Sequence, residues 1–357
     1  MLGFRPAPGR ATAPALGWAT APASPRLAAI VVMVTLLGAA LAAQADAADP
    51  ATSGPASGPP QAGRPGELRV AAVQLCVGPA DLASFSAYAG RITGLVERCL
   101  PYRPDLILFP EYTSVFFALL PYGPKLREAD SLEEALRSVL AGEPLARDLH
   151  DLFLLNSGLA ERGLRELFGG LARRHAVAVG AGSWFAAQSS GSRTVLVNRA
   201  VVFDPRGREL YSQDKVYLTP FEEELLGLAP GRLEAARSFL VDGRRVALTL
   251  CRDTFFQDWE RILSDAELWV DLKANGVPFT AQEREAFQRA LPARLPGGKV
   301  PYGLTLCLTG GLAGLSWEGE SSLVHWQPDG TRLLARAATP AGEDILFFTL
   351  PAALPPP

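Results

Sequence analysis

At 357 residues, with 48% apolar and 20% charged side chains, the chain has enough apolar surface to bury a full globular core, which excludes extended disorder beyond its start. Lys and Arg number 34 against 37 Asp and Glu, for a net charge of -3, and no Lys/Arg run with interleaved aromatics occurs. Nucleic acid is therefore excluded as a natural partner, and a small neutral or weakly charged substrate fits better.

Residues 1–47 read as an address. Arg5, Arg10 and Arg26 are the only charges ahead of an unbroken apolar run from Leu27 to Ala43, and Ala43-Gln44-Ala45 or Ala45-Asp46-Ala47 supplies small residues at cleavage spacing. The run is long for a signal peptide and short for a membrane span. Cleavage is the expectation, with an uncleaved membrane anchor as its alternative. Either way the protein is exported, to the periplasm or beyond the cell. Residues 48–66 are Pro, Gly, Ser and Ala in the main, a composition that buries no core and reads as a flexible linker. From Glu67 to Pro357 the pattern continues without a second linker, as one domain.

Leu68 to Leu75 alternates and is rich in branched residues, the signature of a strand. A helix follows, with Asp81 as its cap and Phe85, Tyr88, Ala89, Ile92, Val96 and Cys99 on one face. Pro101 and Pro104 stop it. Asp105 to Pro110 is a short apolar strand that ends at Glu111. Ser131 to Leu140 and Leu159 to Arg174 read as amphipathic helices. Strands are expected over Ala176–Gly182, Thr194–Phe203 and Glu209–Val216, the last two joined by the turn Asp204-Pro205-Arg206-Gly207. Val246 to Leu250 is a strand that delivers Cys251. Trp259–Ala266 and Ala281–Ala290 read as helices, the second ending before Pro292, with a strand at Leu268–Leu272 between them. Leu304–Thr309, Ser321–Trp326 and Ile345–Leu350 complete the strands. The class is mixed α/β; strand order and layers do not follow from periodicity.

The four cysteines, Cys76, Cys99, Cys251 and Cys307, show no CxxC pairing, and His150, His175 and His325 are scattered, so no metal site and no cofactor is expected. Cys76, Cys99 and Cys307 read as buried small hydrophobes. No GxSxG elbow or GxxxxGK phosphate loop is present, and TGGLAG at 309–314 reads as a turn or substrate loop. Three polar residues stand apart because each emerges where an apolar strand or hairpin ends: Glu111 after DLILFP, Lys215 in QDKVYLTPF, and Cys251 after RVALTL. In α/β sheets reactive groups gather there, held by the sheet while loops admit substrate.

These segments together resemble the nitrilase, or carbon-nitrogen hydrolase, superfamily. FPEYTS is similar to its strand-terminal glutamate motif, NRAVVFDPRGRELYSQDKVYLTPFEEE to its hairpin and lysine motif, and LTLCRDTFF to its nucleophile elbow. The resemblance spans about Leu68 to Leu350 and implies a four-layer α-β-β-α sandwich. It also implies a second glutamate that orients the lysine. Glu223 fits that spacing best, with Glu222 and Glu224 as alternatives. Asn198 resembles a position near the family's site, and reads equally as a hairpin polar residue. Relatives are often dimers or larger, so a homodimer is implied.

A mechanism can be built on the three residues themselves. An amide needs a strong nucleophile, a proton donor for the departing amine and donors for the oxyanion. Cys251 attacks; Glu111 takes the thiol proton, passes it to the leaving nitrogen and then activates water. Lys215 and the backbone N–H of Arg252 stabilise the oxyanion. Nitrile-cleaving members look like Cys-Trp-Glu where this chain has Cys-Arg-Asp, so a small amide or carbamoyl compound is the expected substrate, met by loops that include Tyr112 and Trp184. KANGVPF at 273–279 and the prolines Pro292 and Pro296 depart from the family pattern. Acyl transfer to an amine or alcohol, and a catalytically inactive binding protein, are the alternative readings.

Overall fold

The computed structural model describes residues 66–352. The expected signal or anchor and all but the last residue of the linker lie outside the described residues. Among the described residues no helix is long and apolar enough to cross a membrane.

The strands run in chain order as β1 (Leu68–Gln74), β2 (Cys76–Val77), β3 (Leu106–Phe109), β4 (Ala178–Ser190) and β5 (Arg193–Phe203). They continue as β6 (Glu209–Asp214), β7 (Phe239–Val241), β8 (Arg244–Leu250), β9 (Leu268–Lys273) and β10 (Tyr302–Cys307). The last are β11 (Thr309–Leu312), β12 (Leu315–Trp317), β13 (Ser322–Gln327), β14 (Gly330–Arg336) and β15 (Asp344–Leu350). Two six-stranded sheets result, ordered β15-β1-β3-β4-β5-β6 and β14-β13-β10-β9-β8-β7, with a small third sheet of β12-β11-β2. In the first, β1, β3 and β4 are parallel and β5 and β6 turn back as hairpins. In the second, β8, β9 and β10 are parallel.

The two-residue period of a strand sorts side chains onto opposite faces, and here both faces are buried. On β1, Leu68, Val70 and Ala72 join Val246, Leu248, Val270 and Leu304 in a core between the sheets. Ala71 and Val73 point the other way, against Tyr88, Ile92 and Val96 of the helix Phe85–Cys99. Behind the second sheet, Ala247 and Trp269 pack on Trp259, Leu263, Leu291 and Leu295. Helix, sheet, sheet and helix therefore stack as the expected α-β-β-α sandwich.

Local differences have local causes. Ser84, not Asp81, caps the first helix, accepting from Ala87 N, because Asp81 is drawn into a preceding 3-10 turn where it accepts from Gly78 N and pairs with Arg91. The helix expected from Leu159 begins at Leu149, capped by Asp148, and reaches His175 through one π-helical turn at Arg165–Gly169. Pro292 does not end helical structure: it stands in the first turn of a second helix, Leu291–Gly298, where its missing N–H costs nothing. TGGLAG forms β11 and its turn rather than a free loop, with Gly310 pressed so close that a β carbon would meet Val77 O at 2.0 Å. Cys99 and Cys307 are buried as expected, whereas Cys76 is only partly so.

Candidate active site

Glu111 follows β3 after one residue, Pro110, and the turn that presents it is fixed from several sides. Tyr112 takes a left-handed φ of 64°, and its N–H donates to Ser183 Oγ at 2.9 Å. Ser114 Oγ donates to Ala181 O at 2.7 Å and Tyr88 Oη to Thr113 O at 2.6 Å. Beside it, Gly182 has φ +66°, and a β carbon there would stand 2.1 Å from Pro110 O, so only glycine lets β4 pass so close under the turn.

The β5–β6 hairpin supplies the next two groups. Asn198 lies within β5, and Lys215 immediately follows β6, its N–H donating to Asn198 O at 2.8 Å. Lys215 Nζ donates to Glu111 Oε1 at 2.9 Å and sits 2.8 Å from Glu222 Oε2. Asn198 Nδ2 donates to Glu111 Oε1 and Glu222 Oε1, both at 2.9 Å, so Asn198 belongs to the site and is no mere hairpin residue. Glu111 Oε2 accepts from Ala274 N, just past β9, at 2.9 Å. Glu111, Lys215 and Glu222 are each no more than 1% exposed.

The second glutamate is Glu222, in place of the expected Glu223. Residues Phe221–Leu225 form one π-helical turn that aims Glu222 inward and leaves Glu223 and Glu224 exposed. Glu222 Oε2 accepts from both N and Oγ1 of Thr219 at 2.9 Å, and Oε1 accepts from Tyr112 Oη at 2.9 Å.

Cys251 opens a 3-10 turn, Cys251–Phe255, at the end of β8 and carries a left-handed φ of 49°. Such a conformation costs roughly 1–3 kcal/mol in a non-glycine residue and persists only where neighbours enforce it. Asp253, fully buried, accepts from Leu250 N at 3.3 Å, Val216 N at 3.1 Å and Tyr217 N at 2.8 Å. It thereby ties the cysteine's turn to the lysine's loop. Arg252 occupies the second position of that turn, where a backbone N–H has no partner within the helix, and its guanidinium donates to Leu218 O.

Charge is distributed unevenly. Burial pushes the Glu111 carboxyl above the ordinary carboxylate range, with Lys215 opposing the rise and Glu222 adding to it. Burial acts on Glu222 in the same sense, but Lys215 and the Thr219 and Asn198 donors outweigh it and hold Glu222 below that range. Burial lowers the Lys215 pKa; Glu111, Glu222 and Cys251 outweigh burial, raise the pKa well above the ordinary value and keep the group an ammonium. Cys251 feels burial first and the Glu111 charge second, which push its thiol up to about 12, while Lys273 and Lys215 pull the other way. Sulfur, carboxylate and ammonium thus lie within electrostatic reach of one another.

Trp184, expected to meet substrate, is buried in the core instead. Phe185, one place along β4 and opposite Asn198 on β5, lines an apolar cavity of about 100 Å³ together with Tyr112, Phe116, Phe153, Phe221 and Trp317. The bulge between Gly180 and Ser183 sets which of the two aromatics takes that place.

A carbon-nitrogen hydrolase family model matches residues 69–286, more than half of the chain, with Glu111, Asn198, Lys215, Glu222 and Cys251 inside the match. A search of curated proteins finds no match. Among solved structures, the amidase of Nesterenkonia sp. AN1 carrying the acetamide moiety of fluoroacetamide on its active-site cysteine aligns with a TM-score of 0.59 and 20% identity, over 83% of this chain and 94% of that one. A butyramide complex of the same amidase aligns with a TM-score of 0.58 and 20% identity, over 81% and 93%. A carbon-nitrogen hydrolase from Helicobacter pylori aligns at 0.57 and 18%, over 80% and 89%. The sandwich is shared with these proteins, and the chain itself belongs to the carbon-nitrogen hydrolase family.

Proposed function

We propose that this hydrolase cleaves a small, uncharged, non-peptide amide outside the cytoplasm, through a Cys251 thioester. The observation that carries the reading is the buried Glu111–Lys215–Glu222 cluster, whose charges reach Cys251 at the end of β8. Attack of sulfur on the amide carbonyl moves the thiol proton to Glu111 and the carbonyl electrons to an oxyanion, opposite Lys215 and the Arg252 N–H. Collapse breaks the C–N bond as Glu111 protonates the nitrogen. Water, deprotonated by Glu111, then attacks the thioester carbonyl; the C–S bond breaks to give the free acid, and Glu111 returns the proton to the Cys251 sulfur.

The apolar cavity beside Tyr112 supports a compact hydrocarbon acyl group. At about 100 Å³ it is smaller than the ~150 Å³ cavity known to take benzene. The acetamide adduct and the butyramide complex of the Nesterenkonia amidase are of that size class. Export is read from Arg5, Arg10, Arg26 and the apolar run Leu27–Ala43.

The test is ammonia release from a panel of aliphatic amides. The parent should favour acyl chains of about four carbons, and Cys251→Ala should release none; unchanged turnover in that variant overturns the thioester. Product analysis with an added amine separates free acid, the expected product, from an acylated amine, which would make the protein an acyltransferase. Cell fractionation with N-terminal sequencing of the mature chain tests export.

A further inference from the structure

A second buried lysine stands at the nucleophile. Lys273, the last residue of β9, is 1% exposed, and its Nζ donates to the Cys251 carbonyl oxygen at 3.1 Å. It pairs with Asp271 Oδ2 at 2.9 Å, and Asp271 is fully buried. Thr254 Oγ1 closes the network, 2.9 Å from Cys251 O, 2.8 Å from Asp271 Oδ2 and 3.5 Å from Lys273 Nζ. The ammonium also lies 5.2 Å from the Phe255 ring centroid and 5.1 Å from that of Phe287. A full charge at this depth, aimed at the backbone of the very residue held at positive φ, is a costly arrangement for packing alone.

Resting on the assignment of Cys251 as nucleophile, we propose that Lys273, balanced by Asp271, is a positioning residue. It clamps the Cys251 carbonyl to hold the nucleophile's strained turn, and it presents a second cation to the sulfur as negative charge develops there. Lys215 is shared between two carboxylates and faces the oxyanion, so its charge is largely committed. Lys273 answers to one carboxylate and approaches from the opposite sheet. The other charged or titratable groups around the sulfur are Glu111 and Tyr112 from the β3 turn, Lys215 from the hairpin, Asp253 from its own turn, Asp271 from β9 and Cys307 from β10. Among these, Lys273 favours the thiolate more strongly than Lys215 does, and burial and Glu111 oppose both.

The test separates charge from geometry. Asp271→Asn with Lys273→Gln keeps a donor for the Cys251 carbonyl and removes both charges, so no lone ion is left buried; Asp271→Asn with Lys273→Met removes the donor too. Cys251 alkylation by iodoacetamide is followed at pH 8 to 10 by mass spectrometry of its peptide, where the thiolate fraction falls tenfold per unit rise in thiol pKa. The charge-free pair should alkylate severalfold slower than the parent, because losing Lys273, which favours the thiolate, outweighs losing Asp271, which opposes it. It should also lower kcat with little change in KM. The methionine pair should lose more. A folded charge-free pair that alkylates and turns over as the parent does overturns the proposal. If neither pair folds, Lys273→Arg decides: retained charge should keep alkylation within about threefold of the parent, and a tenfold loss would overturn it. Alkylation needs no turnover, so it reads Lys273 even if Cys251→Ala shows the thioester assignment to be wrong.

Discussion

Glu111 and Glu222 grip the same ammonium, with Lys215 Nζ 2.9 Å from one and 2.8 Å from the other, yet their surroundings drive them apart: Glu111 is raised and Glu222 lowered. Divergent environments of this kind divide acid–base roles between paired carboxylates. Glu222 stays an anion that fixes the lysine, and Glu111 is the one able to carry a proton back and forth.

Exchanging each for its amide should therefore have different outcomes. Glu111→Gln should lower kcat by roughly 10²–10⁴-fold. Glu222→Gln removes a negative charge that raises Glu111, so the Glu111 pKa falls. The acid limb of the kcat/KM profile, which reports the base in the free enzyme, should then move to lower pH. An acid limb that stays in place or moves up would assign the base elsewhere.

Gly182 should tolerate no side chain. With φ at +66° and Pro110 O only 2.1 Å from where the methyl would sit, Gly182→Ala must push the Glu111 turn outward. A loss of about 1–3 kcal/mol in urea unfolding is expected, together with a lower kcat. Parent-like values for both would show that the turn is held without this close approach.

The resting sulfur should be hard to oxidise. A thiol at about 12 holds about three-thousandfold less thiolate at neutral pH than a free cysteine near 8.5, and oxidation follows the thiolate. Deprotonation, and with it reactivity toward peroxide, should rise about tenfold per pH unit through the range 7 to 10. Peroxide titration followed by mass spectrometry of the Cys251 peptide checks this. Rapid sulfenic acid formation at pH 7 would contradict it.

Filling the apolar cavity should act on acyl-chain preference. Val139 lines it away from the charged cluster, so Val139→Phe should raise KM for a four-carbon acyl amide severalfold while leaving acetamide nearly unchanged. Equal effects on both substrates would place the acyl group elsewhere.

Glu111, Lys215 and Cys251 were legible because each ends an apolar segment, and the sheets convert that sequence position into spatial convergence. Glu222 was not resolved from Glu223, since a single π-helical turn decides which of adjacent glutamates faces inward and no periodicity marks such a turn. Asp271 and Lys273 did leave a signal: opposite charges two apart in an otherwise apolar strand share one face, and a buried face demands that they pair. The strand β14 left little, because it is an exposed edge with Leu333 and Leu334 at 53% and 52% exposure, so its side chains alternate between no two environments. Trp184 reads as a loop residue in the sequence, but β4 runs on to Ser190 and buries it, because nothing in the composition after Gly182 marks where the strand stops.

The pairing of β15 with β1, in register from Leu68↔Leu350 to Gln74↔Asp344, joins segments from opposite ends of the described chain. The flank of the first sheet is sealed only after everything between Leu68 and Leu350 has left the ribosome. Such high contact order makes for slow acquisition of the native state. A nascent chain with that delay stays without its closing edge for longer than one whose sheets pair locally.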